Sequence, residues 1–251
     1  MKIKILYEDS NILAIDKPSG ISVHPDGRTK PARLDSRSGG EKTITDWVLE
    51  NYPKMKNVGE PMSVEIKGKK IEIKRPGVVH RLDRDTSGVM LLAKNQKSYE
   101  FLKQQFQNRE IKKTYNTIVN GWLKEERGVI SKPIGRSPTD FRKYSASRGA
   151  RGEMREAITR YKVLKRWGTG LRKFTYLEVS PKTGRTHQIR VHMKAIDHPV
   201  VCDPLYNPKG PHPKEIKRMA LHAQAIEFKD LKGKVEKIES PLPLEFRKVI
   251  K

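Results

Sequence analysis

Apolar residues begin to alternate at the first positions. Ile3, Ile5 and Tyr7 share one side of the chain and Lys2, Lys4 and Leu6 the other, which predicts a strand. Ile12-Leu-Ala-Ile follows a polar turn at residues 8–11 and predicts a second strand, closed by the turn chemistry of Lys17-Pro-Ser-Gly. Ile44, Trp47 and Val48 stand at i, i+3 and i+4, so residues 43–52 read as a helix. Val64 and Ile66 mirror Ile71 and Ile73 around Lys67-Gly-Lys-Lys, a hairpin pattern. Gly88-Val-Met-Leu-Leu-Ala is continuously apolar and short, which predicts a strand covered on both faces. Tyr99, Leu102 and Phe106 then mark one stripe of a helix, and Tyr115, Thr117 and Val119 restart the alternation. Residues 158–164 and 174–179 read as strands, and Ile189, His192, Met193 and Ile196 as a helix beginning near Thr186. Residues 26–42 and 135–155 carry no such pattern, are polar and Arg-rich, and are expected to be basic loops. Nothing repeats at a fixed period and no composition break divides the chain. The expectation is one α+β domain over residues 1–251, with a mixed, mostly antiparallel central sheet flanked by helices and loops.

Charge narrows the partner. Among 251 residues, 53 Lys and Arg against 29 Asp and Glu leave a formal net charge of +24. Such a surface attracts a polyanion, and nucleic acid is the commonest large one. No Lys/Arg-rich amphipathic helix with a bulky apolar face is present, which argues against an anionic membrane. Each phosphate neutralised adds about 0.7–0.9 to the salt slope of binding, and carries no sequence information. Cys202 is the single cysteine, so an intramolecular disulfide framework and a multi-cysteine zinc site are excluded. The longest strongly apolar stretch, residues 89–93, is far short of the ~20 a membrane helix needs. Charges occupy the N-terminal positions where a signal peptide is apolar, so a reduced, cytoplasmic setting is expected. No interface signal is visible, and a monomer is expected.

Two segments could carry chemistry. Arg75-Pro-Gly-Val-Val-His-Arg-Leu-Asp-Arg-Asp-Thr-Ser-Gly88 packs charges immediately before the continuous apolar run. A loop entering a central strand can hold a carboxylate rigidly beside cations. Asp83 and Asp85 are two apart, so in extended chain at most one need face a pocket. A solvated turn with surface ion pairs fits the same residues, and both readings stay open at this point. The second segment is Pro181-Lys-Thr-Gly-Arg-Thr-His-Gln-Ile-Arg-Val-His192, where Arg185 lies close to a helix start and suits an anion. His187 and His192 are five apart, not the spacing of a helical metal pair, so hydrogen-bonding beneath a site is the expected role. A zinc-deaminase pattern, a nucleophile elbow and a phosphate loop are all missing from the sequence. What remains suits one carboxylate, one or two arginines and an aromatic, without cofactor or metal.

The motifs together resemble those of the RluA-type pseudouridine synthases, which isomerise uridine in ribosomal or transfer RNA. The matching segments are Ile12-Leu-Ala-Ile-Asp-Lys-Pro-Ser-Gly-Ile-Ser-Val-His-Pro25, the 80–88 motif continued through Lys94, and Lys113-Thr-Tyr115. They continue with Pro133-Ile-Gly-Arg136, Arg155-Glu-Ala157, residues 183–192 and Leu221-His-Ala223. The resemblance implies a pseudouridine synthase fold with Asp83 as the catalytic aspartate, acting as nucleophile or as proton acceptor. It implies that Arg81 enters the RNA stack when the target uridine leaves, and that Tyr115 packs on the extruded base. Arg185 is the implied partner of the aspartate, and Leu221 an apolar wall of the uracil pocket. No atoms are added in the reaction, so no cofactor is implied. The implied partner is RNA, ribosomal RNA favoured and transfer RNA second.

Two departures stand out. The family commonly has Gly-His-Pro-Ile-x-Gly-Asp with Tyr-Gly shortly after, against Asp197-His-Pro-Val-Val-Cys-Asp203 and Tyr206-Asn207 here. Many relatives also begin with a small RNA-binding domain, whereas this sequence starts in the catalytic one, so the RNA grip is expected from the two basic loops. A non-catalytic RNA chaperone or assembly factor with the same fold is the rival reading. A nuclease is a weaker third, for want of a metal-binding carboxylate cluster.

Overall fold

The computed structural model describes residues 1–25, 41–66, 69–147 and 149–251. Most of the basic segment 26–42 lies outside the described residues. The chain forms two compact units, Met1–Ile111 with Ile226–Ser240, and Lys112–Ala225 with Pro241–Lys251.

In the first unit β1 (Lys4–Glu8) and β2 (Ile12–Lys17) form the expected antiparallel pair, Lys4 opposite Asp16 and Glu8 opposite Leu13. The Asp9 carboxylate makes their turn by accepting from the Asn11 and Ile12 N–H groups, each at 2.7 Å. α1 (Ile44–Asn51) starts in a capping box: Thr43 accepts from Asp46 N, and the Asp46 carboxylate reaches back to Thr43 N. The helix buries Ile44, Trp47 and Val48, the predicted stripe. β3 (Met62–Ile66) and β4 (Lys69–Ile73) make the predicted hairpin, with Ile66 opposite Lys69. β5 (Ser87–Ala93) is buried along its whole length and runs antiparallel to β2, Ile12 opposite Ala93 and Lys17 opposite Gly88. α2 (Gln96–Gln107), capped by the Asn95 side chain on Ser98 N, packs on β5 and buries Tyr99 and Leu102.

The second unit holds β6 (Lys112–Asn120), β7 (Arg127–Ser131), β8 (Ile134–Arg136), β9 (Tyr144–Ser145), β10 (Arg151–Arg155), β11 (Ile158–Trp167) and β12 (Phe174–Pro181). Antiparallel pairing runs in the order β6-β12-β11-β7, with Tyr115 opposite Val179, Thr159 opposite Pro181 and Arg160 opposite Val129. The alternation read along β6 gives way to four consecutive buried residues, 116–119. The Ala220 carbonyl explains part of this, accepting from Ile118 N at 3.1 Å and from the Thr117 hydroxyl at 2.7 Å. α3 (Gln188–Lys194) begins two residues later than expected, because His187 adopts a left-handed conformation, φ 56°. β13 (Leu221–Lys229) starts in this unit and ends in the first, where β14 (Val235–Glu239) pairs with it. α4 (Leu244–Ile250) closes the chain and buries Phe246 in a core with Ile118, Leu177, Val179, Met193 and Val200. The α+β class expected from the pattern holds.

Residues 135–155 correct the sequence reading. They are not a loop: β8, β9 and β10 form a small three-stranded sheet, in the order β10-β8-β9. Hydrophobic periodicity misses it because most of its side chains are exposed, and only Ile134, Ala157 and Val191, with Tyr144, Ala146 and Tyr206 against them, form a small cluster beneath. Among the described residues no helix is long and apolar enough to cross a membrane.

Two of the residues that depart from the family motif fall on strained backbone. Asp197 and Cys202, which replace glycines of that pattern, have φ 61° and 54°. Asp tolerates this region because its short polar side chain can bond locally, whereas a cysteine is held there at a cost of roughly 1–2 kcal/mol. Burial pushes the Cys202 thiol pKa up, which keeps it protonated and unreactive. Relief of the strain, offset by the entropy of glycine, gives Cys202→Gly an expected gain of about 0.5–1 kcal/mol. A denaturation midpoint no higher than that of the parent would refute the strain.

Candidate active site

In the first unit the site residues hang on the entry to β5. Gly77 has φ 67°, and a Cβ there would run into the Ala93 carbonyl and the Met55 methyl, so the chain can lie against the end of β5 only without a side chain. Three residues on, His80 accepts from Leu91 N at 2.9 Å through Nε2 and stacks on Phe106 at 4.8 Å. That bond places the neutral ring's proton on Nδ1. With His80 pinned and Leu82 buried, Arg81 is exposed and Asp83 half-buried. The Asp83 carbonyl accepts from Thr86 N at 3.1 Å, so the turn is closed through the main chain. His24, buried, donates Nδ1–H to the Pro25 carbonyl, and its Nε2 accepts from Arg81 Nη1 at 3.4 Å.

Lys17, which the sequence pattern places only in a turn, braces the Asp83 turn from beneath. Its side chain is fully buried, and its ammonium donates to the carbonyls of Pro18, Ile21 and Arg84 at 2.8, 2.7 and 2.9 Å. A buried cation is tolerated when its donors are satisfied, and hydrogen bonds to a charged group contribute about 1.5–3 kcal/mol. Ser19 Oγ donates to the Asp85 carbonyl at 2.6 Å and Gly20 N to Arg84 O at 2.9 Å, so the 17–21 turn clamps the 83–86 turn.

The second unit carries Tyr115, Arg185 and Leu221. Tyr115 is half-buried on β6 and packs on the core that includes Leu221, itself buried at the first residue of β13. Arg185 sits in the connection between β12 and α3, and the Thr-Gly-Arg-x-His-Gln motif explains itself there. Gln188 Oε1 accepts from the Thr183 hydroxyl at 2.7 Å and from Arg185 N at 3.0 Å. Its Nε2 donates to Ile158 O and Thr159 Oγ1, both at 3.0 Å, and Thr183 Oγ1 accepts from Ile158 N. Arg185 Nε donates to the Glu156 carbonyl at 3.0 Å. His192 is fully buried between Thr159 Oγ1 and the Lys132 carbonyl, and burial lowers its pKa, so it is a neutral structural ring as expected. Helix start and loop are thereby locked to β11.

Beneath that loop lies a buried ion pair that no periodicity discloses. Arg190, on the buried side of α3, makes two bonds to Asp203, at 2.7 and 2.9 Å, and stacks on the Tyr206 ring. Asp203 Oδ1 also accepts from the N–H groups of Leu205 and Tyr206. The Tyr206 hydroxyl bonds His187 Nδ1 and accepts from Tyr144 N, each at 2.9 Å. One hydroxyl therefore ties the small basic sheet to the loop that carries Arg185.

A family model for RNA pseudouridylate synthase matches residues 11–195. The chain belongs to that family. An uncharacterised RNA pseudouridine synthase of Aquifex aeolicus is 39% identical over 85% of this chain and 59% of its own. A ribosomal large subunit pseudouridine synthase D of Borreliella burgdorferi is 36% identical over 97% of this chain and 66% of its own. Human RNA pseudouridylate synthase domain containing 4, a solved structure, is 25% identical with TM-score 0.69, covering 97% of this chain and 90% of that one. The family is one of isomerases, and the pseudouridine synthase fold expected from the motifs is shared with that neighbour. The half-buried Asp83 turn falls inside the matched segment, as do Arg81, Tyr115 and Arg185, whereas Leu221 falls beyond it.

Proposed function

We propose that this chain converts uridine to pseudouridine in large-subunit ribosomal RNA, working as a cytoplasmic monomer with residues 1–251 as one catalytic domain. The observation that carries the reading is the braced turn at Asp83, where His80 and the Lys17 ammonium hold the chain on either side of a half-buried aspartate, two residues after the exposed Arg81. The uracil N1–C1′ bond breaks, the base turns, C5 joins C1′, the C5 hydrogen leaves as a proton, and N1 takes up a proton. Asp83 serves this rearrangement in its ionised form, as nucleophile at C1′ or as proton acceptor. Extruding the base costs a few kcal/mol. Arg81 fills the vacated stack, and Tyr115 packs on the base, an aromatic contact contributing about 1–3 kcal/mol. Arg185 supplies positive charge to the reaction, and Leu221 an apolar wall. Relatives named as large-subunit ribosomal enzymes support the substrate class. RNA tritiated at C5 of uridine tests it: release to water is expected from large-subunit ribosomal RNA, and release from transfer RNA alone would reassign the substrate.

The small sheet of residues 134–155 supplies RNA grip in this proposal. Arg151 of β10 stands directly opposite Arg136 of β8, a like-charge pair that is unfavourable without an anion. Phe141 nearby is 65% exposed and offers a base a stacking surface. Replacing Arg136 and Arg151 together by Ala should weaken RNA binding and reduce its salt slope by about 1.4–1.8. An unchanged slope would remove this sheet from the RNA interface.

A further inference from the structure

Lys113 belongs to none of the hydrogen-bond clusters described above. It lies two residues before Tyr115 on β6, so both side chains leave the same face of the strand. Tyr115 is opposite Val179 of β12, which places Lys113 toward the end of that strand and the loop that follows. There its ammonium reaches the Thr183 carbonyl, at 3.5 Å, a marginal bond and far from enough for three donors. A Cβ built on Gly184 would meet nothing within 4 Å except the Lys113 Nζ, at 3.8 Å. The glycine therefore leaves open space in front of the ammonium, one residue from Arg185. Among the described residues no carboxylate pairs with Lys113, and burial alone shifts its pKa, down to about 8. A half-buried cation without a counter-ion is costly, and an anion arriving in the open space before it would offset that cost.

We propose that Lys113, beside Tyr115 and over Gly184, is a binding site for a backbone phosphate of the substrate RNA next to the nucleotide being modified. The inference rests on the reading of the chain as an RNA-acting isomerase and adds a positioning contact to it. A phosphate held there orients the strand against Tyr115 while its charge replaces the missing counter-ion. The lysine carries no proton in the rearrangement and makes no bond to the reacting atoms. Gly184 contributes by having no side chain to stand between ammonium and phosphate.

The test compares Lys113→Met and Lys113→Arg with the parent chain, using large-subunit ribosomal RNA fragments over a series of salt concentrations. Lys113→Met removes the charge at nearly constant volume, so RNA affinity should fall about tenfold, the loss of one charge-assisted hydrogen bond. The salt slope should fall by about 0.7–0.9, as it does when one phosphate is no longer neutralised. Lys113→Arg should restore the slope. The thermal midpoint of the Met variant should not fall, since an unpaired cation has left a half-buried position. KM for tritium release should rise more than kcat falls. A slope unchanged in Lys113→Met, even with activity abolished, would overturn the phosphate site and leave a packing role. If Lys113→Met does not fold, the slope of Lys113→Gln decides in its place. Because the slope is a binding measurement, failure of the parent chain to release tritium would overturn the function while leaving this site standing.

Discussion

Asp83→Asn is expected to lower tritium release from C5-labelled RNA by at least about 10²–10⁴-fold, the range for removing a general base, and further if the carboxylate is the nucleophile. The amide has nearly the same shape but cannot ionise, so the loss isolates the charge. The Asp83 carbonyl closes the turn by accepting from Thr86 N, which the amide leaves in place, and the 17–21 turn still clamps its neighbours. Folding and RNA affinity should therefore stay close to the parent values. Asp85→Asn, two residues along, is expected to retain release, since the family motif places its aspartate at Asp83. Equal release by Asp83→Asn and the parent would mean that another group carries the reaction. Tight RNA binding without any release by the parent would favour a binding protein over an enzyme.

Arg190→Met should be the most destabilising of the substitutions considered. It leaves the Asp203 carboxylate buried with its partner removed, and breaking a buried pair this way costs about 3–5 kcal/mol. For a chain of this size that corresponds to a fall of roughly 6–20 °C in the unfolding midpoint. Asp203 is left with the N–H groups of Leu205 and Tyr206, which cannot balance its charge. The Tyr206 hydroxyl bonds to His187 and Tyr144 depend on the same arrangement, so the Arg185 loop should loosen with it. Combining Arg190→Met with Asp203→Leu removes both charges and should recover part of the loss. A midpoint within a degree or two of the parent for Arg190→Met alone would show that the pair contributes little.

Sequence and structure agree most closely where side chains face a core. Ile44, Trp47 and Val48, the β5 run and the α2 stripe can be read directly, because burial demands a period and the period shows in the residues. They disagree where burial is partial. Residues 135–155 look like a loop because a sheet with mostly exposed side chains imposes no apolar alternation. β6 looks half-exposed because its alternation cannot announce the Ala220 carbonyl that covers it. The helix near Thr186 starts at Gln188 because His187 turns left-handed, a backbone choice made by the surrounding hydrogen bonds.

The candidate chemistry divides in the same way. Asp83, Arg81, Tyr115 and Arg185 are singled out by the resemblance of their motifs to the family's, and the residues by themselves leave the Asp83 turn open between a site and a solvated turn. The resemblance also marks Cys202 as a foreign residue at a glycine position, and the positive φ there shows why glycine suits it. Lys17, Gln188, the Arg190–Asp203 pair and the open space before Lys113 become visible only in three dimensions. Each depends on partners distant in sequence or on main-chain carbonyls, and a carbonyl is the same at every residue. What a side chain can do is written in its identity; what it is held against is decided by the fold.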